Sequence, residues 1–316
     1  MARVTAIVTA YNRADFVTKC VASLLGSADA DLEVRVVVMD NGSSDNTGEA
    51  ARSAGDRVHV ERTEDNRPVV GVINRGFKIA LADEATDYII IMNDDTEFPP
   101  GALRKLIEAC EAHPNSILTP LQLNYRNPER IDDRAFAAAS NVRDLVEDAI
   151  MGRPLRQVYP VRTMIGAGML AKRETWENIG PFDELFLFYG SDDDYCTRAQ
   201  YLGYHTYLVP ASHLLHAHGG LVAEQSTQNK ADYLRAWSLR TQSHYLFRLK
   251  DCRRPLWLAY LGTAGYAMSR AWGCITSGWP VGAMRAVSLY LTLLGQYAAV
   301  GRARQRDFDP SRRLPA

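Results

Sequence analysis

Short apolar runs alternate with stretches whose apolar residues recur every three or four positions, and this pattern fills roughly the first 110 residues. Val4 to Val8 reads as a strand, stopped by Thr9-Ala10-Tyr11-Asn12. Asn12 suits the cap of a helix to about Leu25, with Phe16, Val17, Cys20, Val21 and Leu24 on its apolar face. Val34 to Met39 is a second strand and runs into Asp40-Asn41-Gly42-Ser43-Ser44-Asp45, a loop of turn and cap formers before a short helix to about Ala54. Gly55 closes that helix, Val58 to Glu61 is a third strand, and Val70 to Leu81 is a helix. Tyr88-Ile-Ile-Ile-Met92 follows, an apolar run that suits a strand buried on both faces. Strands and helices in this order predict a parallel sheet with helices on both sides.

Two of these strands end in acid. Asp40 closes one, and Asn93-Asp94-Asp95-Thr96 closes another, before Glu97 and the breaker pair Pro99-Pro100. Parallel strands point the same way, so both acids fall on one rim, where open α/β sheets bind ligands. Adjacent carboxylates repel, and a divalent cation between them and a phosphate relieves the repulsion. Taken singly, Asp40 reads as well as a turn former or helix cap.

Beyond this half the pattern weakens. Pro120 to Tyr159 is polar and irregular, with a helix expected over Phe136 to Met151. Gly166-Ala167-Gly168-Met169-Leu170-Ala171 matches the Gly-x-Gly-x-x-Ala pattern of dinucleotide-binding turns, with Asp192 downstream, so a nicotinamide-dependent oxidoreductase stays open. Small residues here also let a ligand approach the backbone closely. An aromatic run, Leu185-Phe-Leu-Phe-Tyr189, leads into Gly190-Ser191 and the acids Asp192, Asp193 and Asp194 at an expected helix start, where the helix dipole favours carboxylates. His213, His216 and His218 precede Gly219-Gly220.

From about Ala231 the character changes again. Arg248, Lys250, Arg253 and Arg254 precede uncharged stretches over 255–269, 271–284 and 286–301, separated by single arginines and each too short for a membrane span. Trp257, Tyr260, Tyr266, Trp272, Trp279 and Tyr290 are interfacial residue types, and Arg302, Arg304, Arg306, Arg312 and Arg313 form a basic tail. Helices lying in a membrane interface fit this pattern. Helices packed on protein, or in a homo-oligomer, fit it equally.

Composition narrows the options. The 316 residues are 47% hydrophobic and 23% charged, as in ordinary globular proteins, and a net charge of −1 gives no basic field for nucleic acid. Five cysteines, Cys20, Cys110, Cys196, Cys252 and Cys274, are scattered without a Cys-x-x-Cys pair, which argues for reduced thiols in a cytoplasm. Met1-Ala2-Arg3-Val4 leads straight into a strand, so no signal peptide is expected.

Thr9-Ala10-Tyr11-Asn12-Arg13, then Asp40-Asn41-Gly42-Ser43-Ser44-Asp45, then Asn93-Asp94-Asp95-Thr96, in that order, resembles the inverting glycosyltransferases of family 2. Gly180-Pro181-Phe182-Asp183-Glu184-Leu185-Phe186 to Arg198 is similar to the rhamnosyltransferase-like branch. The resemblance spans roughly residues 3 to 220. It implies a Rossmann-like α/β fold of the GT-A type, with a nucleotide-sugar half over 1–115 and an acceptor half over 116–230. The remaining 231–316 is then a helical C-terminal appendage. It also implies an enzyme moving a sugar from a nucleotide-diphospho-sugar, dTDP- or UDP-linked, to a glycan, lipid-linked or small-molecule acceptor. The cofactor it implies is Mn²⁺ or Mg²⁺. The cysteine pattern adds a cytoplasmic location, and the residue types of the tail add peripheral membrane contact through 255–313 as one reading.

Residue by residue, the resemblance places Thr9 and Tyr11 against the base and has Asp40, with Asn41, accept the base imide proton. It puts Asn66 and Asp94 at the donor, Asp95 and His216 on the metal, and Gly168, Trp176, Tyr189 and Asp194 at the acceptor. The family's Glu-Asp-x-Asp maps its general base onto Asp192. Two positions depart from the family: Pro68 stands where relatives commonly have Gly, and Ser191 where they have Glu. A nucleotidyltransferase or a non-catalytic sugar-nucleotide binder shares the fold and the acids, and both stay open.

Overall fold

β1, Ala2–Ala10, carries a core run in which Val4, Ala6, Ile7 and Val8 have no exposed surface. Burial on both faces leaves this strand only a central place in a parallel sheet. In the computed structural model, which describes residues 1–132, 136, 142–217 and 230–315, β1 pairs in parallel with β2, Leu32–Asp40, on one side. On its other side it pairs in parallel with β4, Tyr88–Asn93. β3, Val58–Arg62, extends the sheet beyond β2.

α1, Ala14–Leu25, presents Val17, Cys20, Val21 and Leu24 to the face formed by Val4, Ala6 and Val8. α4, Ala102–Ala112, adds Leu103 and Leu106 to the same core. Between these come α2, Thr47–Arg52, and α3, Val69–Ala82, which buries Val70, Val72, Phe77 and Ala80. Asn12 does not cap α1. It adopts a left-handed conformation with φ 52, and its Oδ1 accepts from the Ser44 amide, so the side chain organises the neighbouring loop instead.

The second half of the sheet is mixed. In spatial order the strands run β3-β2-β1-β4-β9-β6-β10-β5, with β7, Asn127–Ile131, beside β6 and β8, Tyr159–Pro160, beside β10. β6 is Ser116–Asn124, β9 Met169–Lys172, β10 His205–His216, and β5 only Thr96–Glu97. β9 is antiparallel to β4 and follows directly on Gly166-Ala167-Gly168. The helix expected from Phe136 appears as α5, Arg143–Ile150; residues 133–135 and 137–141 lie outside the described ones. α6, Arg173–Ile179, and α7, Ser191–Tyr201, complete this part.

The chain divides into two units. The first holds the described residues of 1–182, 195–218 and 314–316, and the second those of 183–194 and 219–313. The second unit is helical: α8, Lys230–Lys250, α9, Leu256–Thr276, α10, Pro280–Gly295, and α11, Tyr297–Asp307. Pro255 and Pro280 stand at the starts of α9 and α10, where a missing N–H costs nothing. Arg270 and Arg285, which separated the uncharged stretches, lie inside these helices. The Tyr260 hydroxyl donates to the Leu293 carbonyl at 2.8 Å and ties α9 to α10.

A single ammonium organises the second unit. Lys250 Nζ lies 2.7, 2.8 and 2.6 Å from Asp183, Asp194 and Asp307, and all four side chains are buried. Burial pulls the lysine pKa down, but Asp194, Asp307 and Asp183 more than offset it, leaving Lys250 above its usual value. Arg306 joins through Asp307, and Arg304 donates to the carbonyls of Asp251 and Arg254. Two arginines of the basic tail are therefore engaged inside the unit.

Candidate active site

Register brings the strand-end acids together. Ala10 stands opposite Asp40 on one side of β1, and Thr9 opposite Asn93 on the other. All three strands end on one rim, so Tyr11, Asp40 and Asp94-Asp95 leave the sheet side by side. Tyr11 is 42% exposed, and its amide donates to Asp94 Oδ2 at 3.4 Å.

Asp40 is fully buried. Its Oδ1 accepts from the Ser43 amide at 3.0 Å, while among the described residues Oδ2 has no hydrogen-bond partner and lies 3.7 Å from the Arg62 guanidinium. Gly48 makes room for that oxygen, since a Cβ there would sit 2.8 Å from it. A buried carboxylate oxygen without a donor is a costly arrangement that an incoming N–H relieves. Asn41 does a different job. Its Nδ2 donates to Asn66 Oδ1 and to the Arg67 carbonyl, both at 2.9 Å, and its Oδ1 accepts from the Arg67 amide. It thus fixes the loop that carries Asn66, and Pro68 then serves as the entry to α3.

At the end of β4, Thr96 Oγ1 donates to the Asn93 carbonyl at 2.7 Å and closes a tight turn that holds Asp94 and Asp95. β5 starts at once and pairs with the end of β10, His216 opposite Thr96. This two-residue strand brings His216 Nε2 to 3.4 Å from Asp95 Oδ1. On its other side His216 Nδ1 is 2.8 Å from Gln122 Oε1, and Gln122 Nε2 donates to the Ala167 carbonyl. The carbonyl can only accept, so it orients the amide, and the amide oxygen in turn requires Nδ1–H. His216 therefore turns Nε2 toward Asp95. His218 and Gly219-Gly220 lie outside the described residues.

Arg13 completes the cluster and was not singled out from sequence. Its Nη1 is 2.9 Å from Asp95 Oδ2 and 3.5 Å from Asp94 Oδ1. Burial, opposed by Arg13 and reinforced by Asp95, lifts the Asp94 carboxyl to about 7. Asp95 and His216 bring a carboxylate oxygen and an imidazole nitrogen to 3.4 Å, a mixed pair of donors of the kind that Mn²⁺ or Mg²⁺ takes, and the Arg13 cation already lies on the other Asp95 oxygen. Among the described residues it is Asp183, Asp194 and Asp307 that meet ligand spacing as a group of three, but the Lys250 ammonium occupies that triad.

The expected acceptor residues separate. Trp176 is 2% exposed, packs against Phe77 and Tyr195, and donates from Nε1 to the Ile89 carbonyl, so it is a core residue with no face for a sugar. Gly168 has φ 88, and a Cβ would meet Leu214 and Pro120 at 3.0 and 3.1 Å; backbone conformation and strand packing account for it. The glycines of 166–168 lead into strand β9 rather than opening a helix, so the dinucleotide turn is not formed. Asp194 is 2% exposed and held by Lys250. Asp192 is half-buried, Asp193 exposed, and Ser191 Oγ lies 3.1 Å from Asp192 Oδ1. Tyr189 lies in the second unit and carries the Arg240 guanidinium 4.9 Å above its ring.

A 3-2-1-4 parallel core continued by a mixed half, with paired acids and a histidine at its rim, defines a GT-A type glycosyltransferase fold. The glycosyl transferase family 2 model matches residues 5–172, and the chain belongs to that family, in its rhamnosyltransferase-like branch. It is 26% identical over 281 residues to the N-acetylglucosaminyl-diphospho-decaprenol L-rhamnosyltransferase of Mycobacterium tuberculosis, covering 81% of this chain and 86% of that one. The succinoglycan biosynthesis protein ExoU of Rhizobium meliloti is 36% identical over 104 residues, 32% of this chain and 28% of its own. Among solved structures, GalNAc-T7 with UDP, GalNAc and Mn²⁺ shares the fold at a TM-score of 0.53 and 13% identity, over 68% of this chain and 44% of its own. The protein is a glycosyltransferase.

Proposed function

We propose that the enzyme moves a sugar, with inversion, from a dTDP- or UDP-linked donor to a hydroxyl of a lipid-linked glycan carried on a diphosphate. The observation that carries this reading is the Asp95–His216 pair, 3.4 Å apart on the rim that also holds Asp40. Asp40 Oδ2 accepts the imide N–H of a pyrimidine, a donor that a buried, unpartnered carboxylate oxygen lacks. Asp95 and His216, with Asp94 beside them, hold the divalent metal. When bound, that ion offsets the negative charge that grows on the departing nucleoside diphosphate. Arg13 places a positive charge on the Asp95 and Asp94 oxygens of this site. Asp192 is the general base by its place in the family's pattern; half-buried beside Ser191, it takes the proton of the acceptor hydroxyl.

The acceptor class is consistent with the relative whose name carries diphospho-decaprenol, and the second unit has exposed apolar residues that fit such an acceptor. Trp257, Leu261, Met268, Trp272 and Ile275 are exposed along one side of α9 at helical spacing, and Val281, Met284 and Leu291 along α10. Among the described residues no helix is long and apolar enough to cross a membrane. An apolar side of this kind suits a peripheral seat on a bilayer.

The test is a thermal-shift panel of dTDP, UDP and their sugars with and without Mn²⁺, since a ligand that binds the native state alone raises the midpoint. Stabilisation by a pyrimidine diphosphate that depends on Mn²⁺ is expected; stabilisation by a purine nucleotide alone, or none, removes the reading. For the membrane seat, Trp257→Ser with Trp272→Ser should weaken binding to liposomes at unchanged nucleotide affinity.

A further inference from the structure

The second unit contains a cavity of about 430 Å³ that the donor site leaves unused. One wall is a face of α8 on which Arg240, His244 and Arg248 recur at four-residue steps. The opposite walls are Tyr189 and Gly190, just before Asp192, and Tyr266 of α9. Each arginine lies over a ring: Arg240 is 4.9 Å from the centroid of Tyr189, and Arg248 4.7 Å from that of Tyr266. Stacking holds a guanidinium flat while its N–H fork stays turned outward. Among the described residues neither guanidinium is within ion-pair distance of a carboxylate. Partial burial first, and then the charges of Arg270 and Arg240, hold His244 below its usual pKa.

We infer that this cavity binds the diphosphate ester of the acceptor, Arg240 and Arg248 gripping the phosphates while Tyr189 and Tyr266 flank the attached sugar. The inference rests on the lipid-linked acceptor reading above and names the residues that recognise it. Guanidinium forks match phosphate oxygens in pairs, which a lysine cannot do. The volume falls within the range of small-molecule sites and fits a head group larger than a free phosphate. Asp193 also lines the cavity. Phosphate bound here is tethered beside the turn that presents Asp192, so the anchor serves to orient the acceptor hydroxyl.

The experiment uses the full chain and farnesyl diphosphate, a short prenyl diphosphate, with farnesol and phosphatidylglycerol vesicles as further arms. Both arginines are exposed on a helix surface, so Arg240→Gln with Arg248→Gln should fold, as an unchanged response to UDP or dTDP with Mn²⁺ would verify. Farnesyl diphosphate should bind the native protein, and the double variant should bind it at least about tenfold more weakly. Farnesol and vesicle binding should not change. Arg240→Lys should fall between, because it keeps the charge and loses the fork. Equal affinity in the double variant, or no binding by the native protein, overturns the proposal. A matching loss of vesicle binding would make the arginines a general lipid contact, and a matching loss of nucleotide binding would make the cavity a donor site; either overturns it. Farnesyl diphosphate held through these arginines, by a protein that transfers no sugar, would support the site and sink the acceptor reading alone.

Discussion

His216 Nδ1 and Gln122 Oε1, 2.8 Å apart and both buried, decide which imidazole nitrogen faces Asp95. The Ala167 carbonyl fixes the amide, the amide fixes the ring, and Nε2 is turned to the carboxylate. Outer partners of a metal-bound histidine typically matter by one to two orders of magnitude in affinity. Gln122→Leu should therefore weaken Mn²⁺ binding about 10- to 100-fold, read by titration of the ion in the presence of UDP. Unchanged Mn²⁺ affinity would remove His216 from the metal or Gln122 from its support.

Arg13 sits on the oxygens that the metal would use. Arg13→Met should lower the melting temperature of the metal-free protein, because it leaves two buried carboxylates without their cation. Mn²⁺ should then raise the midpoint of the variant more than that of the native chain, replacing one positive charge by another. In Asp95→Ala the Mn²⁺ dependence of nucleotide binding should vanish. Nucleotide binding that keeps its dependence in that variant would show that the acid pair does not hold the ion.

Much of the sheet was legible because its strands are buried on both faces and so read as unbroken apolar runs, Val4–Val8 and Tyr88–Met92 above all. Acid at their ends then fell on one rim by topology alone. His216 was reachable only through the family resemblance, because β5, the two residues that deliver Asp95 to it, has no pattern of its own. Gln122 is one polar residue in a strand, and only the carbonyl of Ala167, far away in sequence, gives it a role. Lys250 looked like part of a basic run with Arg248, Arg253 and Arg254, yet it is the buried centre of three carboxylates, a long-range arrangement that local charge patterning does not encode. Gly166-Ala167-Gly168 is the opposite case. The motif was present, but the strand-to-helix context that gives it meaning was not.

Lys250→Met should cost about 3–5 kcal/mol, since it leaves Asp183, Asp194 and Asp307 buried together without their ammonium. The folded pKa of Lys250 lies above its unfolded value. Its contribution is thus fully present below the unfolded value of about 10.4 and is lost as pH rises through the folded one. Urea unfolding of the native chain and the variant should differ by a constant amount from neutral pH to about pH 10, with the gap closing above that. A gap already closed at pH 9 would show that the lysine is not charged in the folded protein.

Asp192 and Asp194 begin the same helix and have opposite surroundings. Successive helical residues point about 100° apart, so neighbouring acids cannot serve one purpose. Asp194 is buried on Lys250, while Asp192 is half-buried with the Ser191 hydroxyl at 3.1 Å. An acid already bound to a buried ammonium is a poor proton acceptor, because protonating it would strand that ammonium. Asp192→Asn should accordingly lower turnover by on the order of 10² or more, with donor affinity and melting temperature close to native. Asp194→Asn should lower the melting temperature markedly, and its loss of turnover should follow the loss of folded protein. Near-native turnover in Asp192→Asn, with a well-folded Asp194→Asn that has lost its activity, would transfer the base to Asp194 and break the match to the family's pattern.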